Sequence, residues 1–226
     1  MLLLFDIDGT LLLRASVEHA AALREALEAV YGAAPRERVS AAGRTDTAIA
    51  RDLALLGGVS PQRFDAGLAE FTAACAQAFA RRCPASLGEL VAPGMVELLD
   101  ALGAQRQVRC SLVTGNYEAV ARLKLERAGI GGHFEPGQGG FGSDSEHRDD
   151  LPPIARERAG GQPRERTLVI GDTPLDIACA RADGLRVIAV ATGIYAAPEL
   201  AGADAVAADG FELAGLLERE LERSPR

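Results

Sequence analysis

At 226 residues, with 48% hydrophobic and 25% charged side chains, the chain is long enough for a globular core carrying a smaller insertion. Its formal net charge of -8, without a block of like charges, argues against a nucleic-acid or anionic-membrane surface, since both need clustered Lys and Arg. Arginine supplies nearly all of the positive charge, and Lys124 is the only lysine.

The chain opens on Met1-Leu2-Leu3-Leu4-Phe5, but Asp6 and Asp8 interrupt this run before a signal-peptide core forms, and no basic residue precedes it. No later segment reaches the roughly 18 apolar residues of a membrane span. Cys75, Cys83, Cys110 and Cys179 are scattered without C-x-x-C spacing, so they are expected as small core residues in a reducing cytoplasm.

In chain order, strands are expected over 2–7, 108–113, 167–170 and 186–190, with a weak last strand near 204–206. Helical patterns separate them, at 95–102, 118–128 and 175–182, which is the rhythm of a parallel sheet with helices on both faces. Pro152 and Pro153 after Asp150, and Pro174 after Thr173, read as first-turn prolines behind helix caps. Residues 15–89 break this rhythm, with amphipathic helices at 17–30, 46–56 and 61–80 and no convincing strand. The expected organisation is an α/β Rossmann-like core, residues 1–14 and 90–226, with an all-helical cap inserted at 15–89. A fraying helix is expected from Glu218 to Arg226.

Polar residues gather at the strand tips. The first strand ends in Asp6-Ile7-Asp8-Gly9-Thr10, and alternation places Asp6 and Asp8 on one face. Such carboxylates at a buried strand end need a cation or hydrogen bonds to offset them. The second ends in Thr114-Gly115-Asn116, where backbone N–H groups can face an anion. A third tip carries Gly171-Asp172-Thr173-Pro174-Leu175-Asp176, in which Asp176 lies in the first helical turn and can also serve as its cap. Asp172 is expected beside the first strand. Hard oxygen ligands of this kind suit magnesium.

Together these tips resemble the haloacid dehalogenase superfamily, with the insertion resembling its helical cap of the first type, as in phosphoglycolate-phosphatase-like enzymes. The resemblance implies Asp6 as nucleophile and Asp8 as general acid and base. It implies magnesium held by Asp6, Asp8 (through its carbonyl), Asp172 and Asp176, and Thr114 binding the phosphoryl group. Thr10, Gly115, Asn116 and Arg44 are expected around the substrate, a small phosphorylated metabolite, in a monomer or homodimer. The family's usual lysine is missing from Glu146-His147-Arg148-Asp149-Asp150-Leu151-Pro152-Pro153, so Arg148 is the expected replacement. Lys124 lies eight residues past Asn116, with its Cα roughly 12 Å along the helix from the strand tip, and is not expected at the site. His19 is expected at the surface, and His133 as structural.

The resemblance implies a phosphatase working through an aspartyl-phosphate. Asp8 argues against dehalogenation, and a cap without lysine excludes a phosphonatase Schiff base. A phosphosugar mutase of the β-phosphoglucomutase type and a non-catalytic phosphate-binding regulator stay open.

Overall fold

The computed structural model describes residues 1–223. Its centre is β1 (Leu2–Phe5), whose four side chains are all buried. Leu3 and Phe5 enter one apolar cluster and Leu2 and Leu4 another. A strand covered on both faces reads as an unbroken apolar run, which is why the N-terminal leucines show no polar alternation.

Six parallel strands form the sheet in the order β3-β2-β1-β4-β5-β6. They are β1, β2 (Arg109–Thr114), β3 (Gly140–Phe141), β4 (Thr167–Gly171), β5 (Arg186–Val190) and β6 (Ala205–Ala207). β1 pairs with β2 through Phe5 and Leu112, and with β4 through Phe5 and Ile170. The chain winds outward from β1 in both directions, so a crevice opens beyond its carboxyl end. Asp6 follows immediately. β3 was not expected: its two residues, within the glycine-rich run 137–142, carry no hydrophobic period, and only pairing with Val113 and Thr114 makes them a strand.

One face of the sheet is covered by α4 (Met95–Gly103), α5 (Glu118–Arg127) and α8 (Gly210–Arg223), the other by α6 (Leu151–Arg158) and α7 (Pro174–Ala182). α8 continues as regular helix through much of the tail expected to fray, and residues 224–226 lie outside the described residues. Asp150 does not cap α6 with its side chain. A short 3-10 turn, Arg148–Asp150, runs straight into the helix, so Asp150 is already wound, and its carboxylate accepts from Ser145 Oγ at 2.7 Å.

Between β1 and α4 lies a helical cap region of α1 (Val17–Tyr31), α2 (Asp46–Leu56) and α3 (Pro61–Arg82). Thr45 and Ser60 accept from Ala48 N and Arg63 N, capping α2 and α3. The three helices share a cluster that includes Leu27, Ile49, Phe64, Phe71 and Phe79, and Tyr117 and Val120 of the core join it. The cap therefore rests on the start of α5. The four cysteines are free, and all but the half-buried Cys83 are buried.

Candidate active site

The tips of β1, β2 and β4 converge at the switch point, on a cavity of about 1000 Å³ between core and cap. Asp6, Asp8, Asn116, Arg148 and Asp172 line its core side, and His19 and Ile49 face them from the cap. Oxygens of Asp6, Asp172 and Asp176 lie within 4.8 Å of one another. The polypeptide is built for this proximity: Gly9 has φ 88, and a Cβ on it would stand 2.2 Å from Asp172 Oδ2.

Arg148 enters this acidic group from the 3-10 turn. Its Nη2 lies 3.2 Å from Asp6 Oδ2 and also bonds Asp176 Oδ1. Nη1 donates to Gly43 O of the cap loop at 2.9 Å, while its buried Nε has no acceptor in the protein among the described residues. Three carboxylates against one guanidinium leave two negative charges, the complement of one divalent cation. The all-oxygen donor set fits magnesium.

The same imbalance acts on protonation. Burial pushes Asp6 up to about 6 despite the Arg148 guanidinium, with Asp176 adding to the rise. Burial, then Asp176 and Asp6, pushes Asp172 up to about 8. Both groups hold their proton more tightly folded than unfolded. The stability this contributes is complete below about pH 4 and lost as pH rises through about 6 and about 8. Metal-free protein is therefore expected to lose a few kcal/mol across that window. Magnesium, which needs ionised ligands, should raise the melting temperature more at pH 8 than at pH 5. Melting curves in EDTA and in magnesium check this, and curves that superimpose at pH 8 would remove the metal site.

Asp176 caps its helix and also belongs to the acidic group. Its Oδ2 accepts from Thr173 N at 2.9 Å while Thr173 Oγ1 accepts from Asp176 N, a reciprocal cap on α7, and its other oxygen meets Arg148. Thr114 is fully buried next to Asp6, where its side chain lowers the Asp6 pKa against the effect of burial.

Several expected positions also make contacts within the protein. Thr10 is completely buried, donates to Asp172 Oδ1 at 3.1 Å and is not among the residues lining the cavity, so it supports a carboxylate. Asn116 Nδ2 donates to Asp8 Oδ2 and Thr114 Oγ1, each at 2.9 Å, which ties two tips together. Gly115 is the seam between core and cap: Asp46 N donates to its carbonyl at 2.7 Å, and a Cβ there would meet Arg44 O at 2.0 Å. Arg44 lines the cavity, but its guanidinium is held by Asp52 at 2.8 Å and by the carbonyls of Ser40 and Ala48. The helix that Arg44 precedes thus supplies its partners. Arg14 and Arg38 line the same cavity, are exposed, and have no ion pair among the described residues.

Lys124 and His19 overturn the expectations for them. Lys124 is fully buried, and its Nζ donates to Asp8 Oδ2 at 2.6 Å and to Asn116 Oδ1 at 2.7 Å. A helical side chain slants toward its N-terminus, and a four-carbon stem covers the remaining distance that the Cα position suggested was too long. His19 is buried too, with Nδ1 at 3.3 Å from Lys124 Nζ and Nε2 at 3.0 Å from Asp46 Oδ2, the latter contact short of hydrogen-bond alignment. Burial pushes Asp8 up, but the Lys124 ammonium, with its hydrogen bond and that of Asn116, outweighs it and holds Asp8 below its ordinary value. The legible signal for Lys124 was its singularity in an arginine-rich chain. His133 is half-exposed, 3.4 Å from Asp100, in a 3-10 turn far along the chain from these tips.

Residues 3–181 match the model of the haloacid dehalogenase-like hydrolase family. A phosphoglycolate phosphatase from Rhodospirillum rubrum is 32% identical over 111 residues, which are 49% of this chain and 46% of that relative, so the match spans less than half of its length. Among solved structures, a hydrolase from Pseudomonas syringae is 24% identical, with 96% of this chain and 97% of that one covered and a TM-score of 0.66. CbbY from Rhodobacter sphaeroides, solved in complex with phosphate, is 21% identical over 94% of this chain and 95% of its own, with a TM-score of 0.65. At these identities the structures speak for the fold. No helix among the described residues is long and apolar enough to cross a membrane. With the family match covering most of the chain and the acidic tips assembled at its switch point, the chain belongs to the haloacid dehalogenase-like hydrolases.

Proposed function

We propose that this hydrolase is a magnesium-dependent phosphatase that cleaves a small-molecule phosphate monoester through a phosphorylated Asp6. The observation that carries the reading is the placement of Asp6: at the cavity wall, paired with Arg148 and grouped with Asp172 and Asp176. Asp6 and Asp172, backed by Asp176, would hold the cation, which when bound offsets charge between carboxylate and phosphate.

Asp6 Oδ attacks phosphorus and the P–O bond to the ester oxygen breaks, while Asp8, ionised at rest, relays to the leaving oxygen the proton carried in on the P–OH of the monoanionic ester. Water then attacks the phosphoryl group, Asp8 takes its proton, and the bond to Asp6 breaks to release inorganic phosphate. Arg148 orients the nucleophile. Lys124 keeps resting Asp8 ionised, the form the second step needs.

An ester with a good leaving group tests this division. Hydrolysis of p-nitrophenyl phosphate is expected to require magnesium, and Asp8→Asn is expected to release about one equivalent of nitrophenol in a burst and then slow by about 10²-fold or more. Absence of hydrolysis across a panel of phosphate esters would instead favour a binding protein. Conversion of glucose 1-phosphate to its 6-phosphate would identify a mutase. Exposed Arg14 and Arg38 at the cavity support a substrate with a second anionic group, the class to which the named substrate of the Rhodospirillum relative belongs.

A further inference from the structure

We propose that Lys124 is a positioning residue that couples the seating of the helical cap to the placement of the Asp8 carboxylate, through His19. The inference rests on the reading of Asp8 as the proton-transfer group.

An ammonium has three N–H donors and no acceptor. In Lys124 they meet three acceptors: the Asp8 carboxylate, Asn116 Oδ1, and His19 Nδ1. Asp8 and Asn116 belong to strand tips of the core, whereas His19 belongs to α1 of the cap. Because lysine can only donate, Nδ1 must accept, which leaves the imidazole proton on Nε2, facing Asp46 Oδ2. Asp46 Oδ2 accepts from Tyr117 N of the core at 2.7 Å. The chain Asp8–Lys124–His19–Asp46–Tyr117 thus runs from core to cap and back.

A second cap residue closes over the same group. Lys124 Nζ stands 6.0 Å from the ring centroid of Phe79 in α3, and His19 packs edge-on against that ring at 5.6 Å. An ion buried only for packing is unfavourable, since an apolar side chain of similar shape avoids its desolvation. Here the buried charge does something a leucine cannot. With the cap seated, the ammonium is dry, fully bonded and holds Asp8 in one orientation. With the cap displaced, it loses His19 and Phe79 and faces water, and its pair with Asp8 loosens. Proton transfer is then efficient only when the cap has excluded bulk water from the phosphoryl group.

The test is a double-mutant cycle of His19→Leu and Lys124→Met, read by kcat and KM on a phosphate monoester and by deuterium uptake of segment 8–12. That segment is useful because Gly9 N, Leu11 N and Leu12 N are all bonded within the turn that carries Asp8. His19→Leu is expected to lower kcat by about tenfold with KM within about twofold, an effect typical of outer groups that orient a reacting one. It should add less than about twofold in the Lys124→Met background, because the two residues act through one contact. It should also speed exchange in 8–12, although the substitution lies in the cap. His19→Asn, whose amide oxygen can accept from Lys124, should recover part of both, and it replaces the leucine variant should that one not fold. Additive losses of kcat, or unchanged exchange in 8–12, would overturn the coupling while leaving the phosphatase reading intact. Faster exchange in a protein whose wild type hydrolyses no ester would do the reverse.

Discussion

Asp6→Asn is expected to lower kcat for phosphate release by at least about 10⁴-fold, because no other side chain in the cavity is placed to accept the phosphoryl group. The amide keeps the shape of the carboxyl group, so the loss reports chemistry and not packing. Stability should move the other way. Asp6 is buried beside Asp176, and the neutral amide removes one of the carboxylates that Arg148 alone offsets. Metal-free Asp6→Asn protein should therefore melt higher than wild type at pH 8, where the carboxylates are ionised. Rapid acid quenching followed by intact-mass measurement should find a phosphorylated species in Asp8→Asn and none in Asp6→Asn. Retention of more than about a hundredth of wild-type turnover by Asp6→Asn would end the nucleophile assignment.

Arg148→Ala carries the second large effect. The guanidinium is buried, touches Asp6 and Asp176, and donates to Gly43 O of the cap loop. Its removal strands two buried carboxylates and detaches one cap contact. The expected cost is about 3–5 kcal/mol in metal-free protein, the usual penalty for a buried charge left without its partner. Magnesium should recover part of it. Turnover should fall by about 10²–10³-fold even at saturating magnesium, since the fork that orients nucleophile and phosphate is gone. Arg148→Lys should fall between, because an ammonium keeps the charge but not the planar reach from Asp6 to Asp176. Activity of Arg148→Ala within about threefold of wild type, with a normal melting temperature, would move the cationic role to another residue.

Arg148 and Lys124 share a pattern. Each is buried, each bonds one of the two carboxylates from the first strand tip, and each also reaches the cap, at Gly43 O and at His19. Two cations thus hold separate carboxylates of the first strand tip, Arg148 at Asp6 and Lys124 at Asp8.

Local physics determined much of this molecule. An apolar run too short for anything but a buried strand places β1, and Thr173 and Asp176, three residues apart, specify a reciprocal cap. Thr45 marks the start of α2, and carboxylates at strand tips, Asp6 and Asp172 among them, point to a cation site. These features depend on neighbours within a few residues or on strand tips that parallel winding must bring together. Tertiary structure decided what depends on pairs far apart along the chain. Lys124 meets partners 116 and 105 residues away, and whether a lone lysine on a helix faces solvent or a carboxylate is set by how that helix is rotated against the cap. His19 is buried only because α1, α3 and α5 enclose it, and Arg44 turns to Asp52 once α2 is wound. β3 exists only as the partner of β2. Side-chain reach and helix rotation carry no signature in a local window, and at this site they decide which charge meets which.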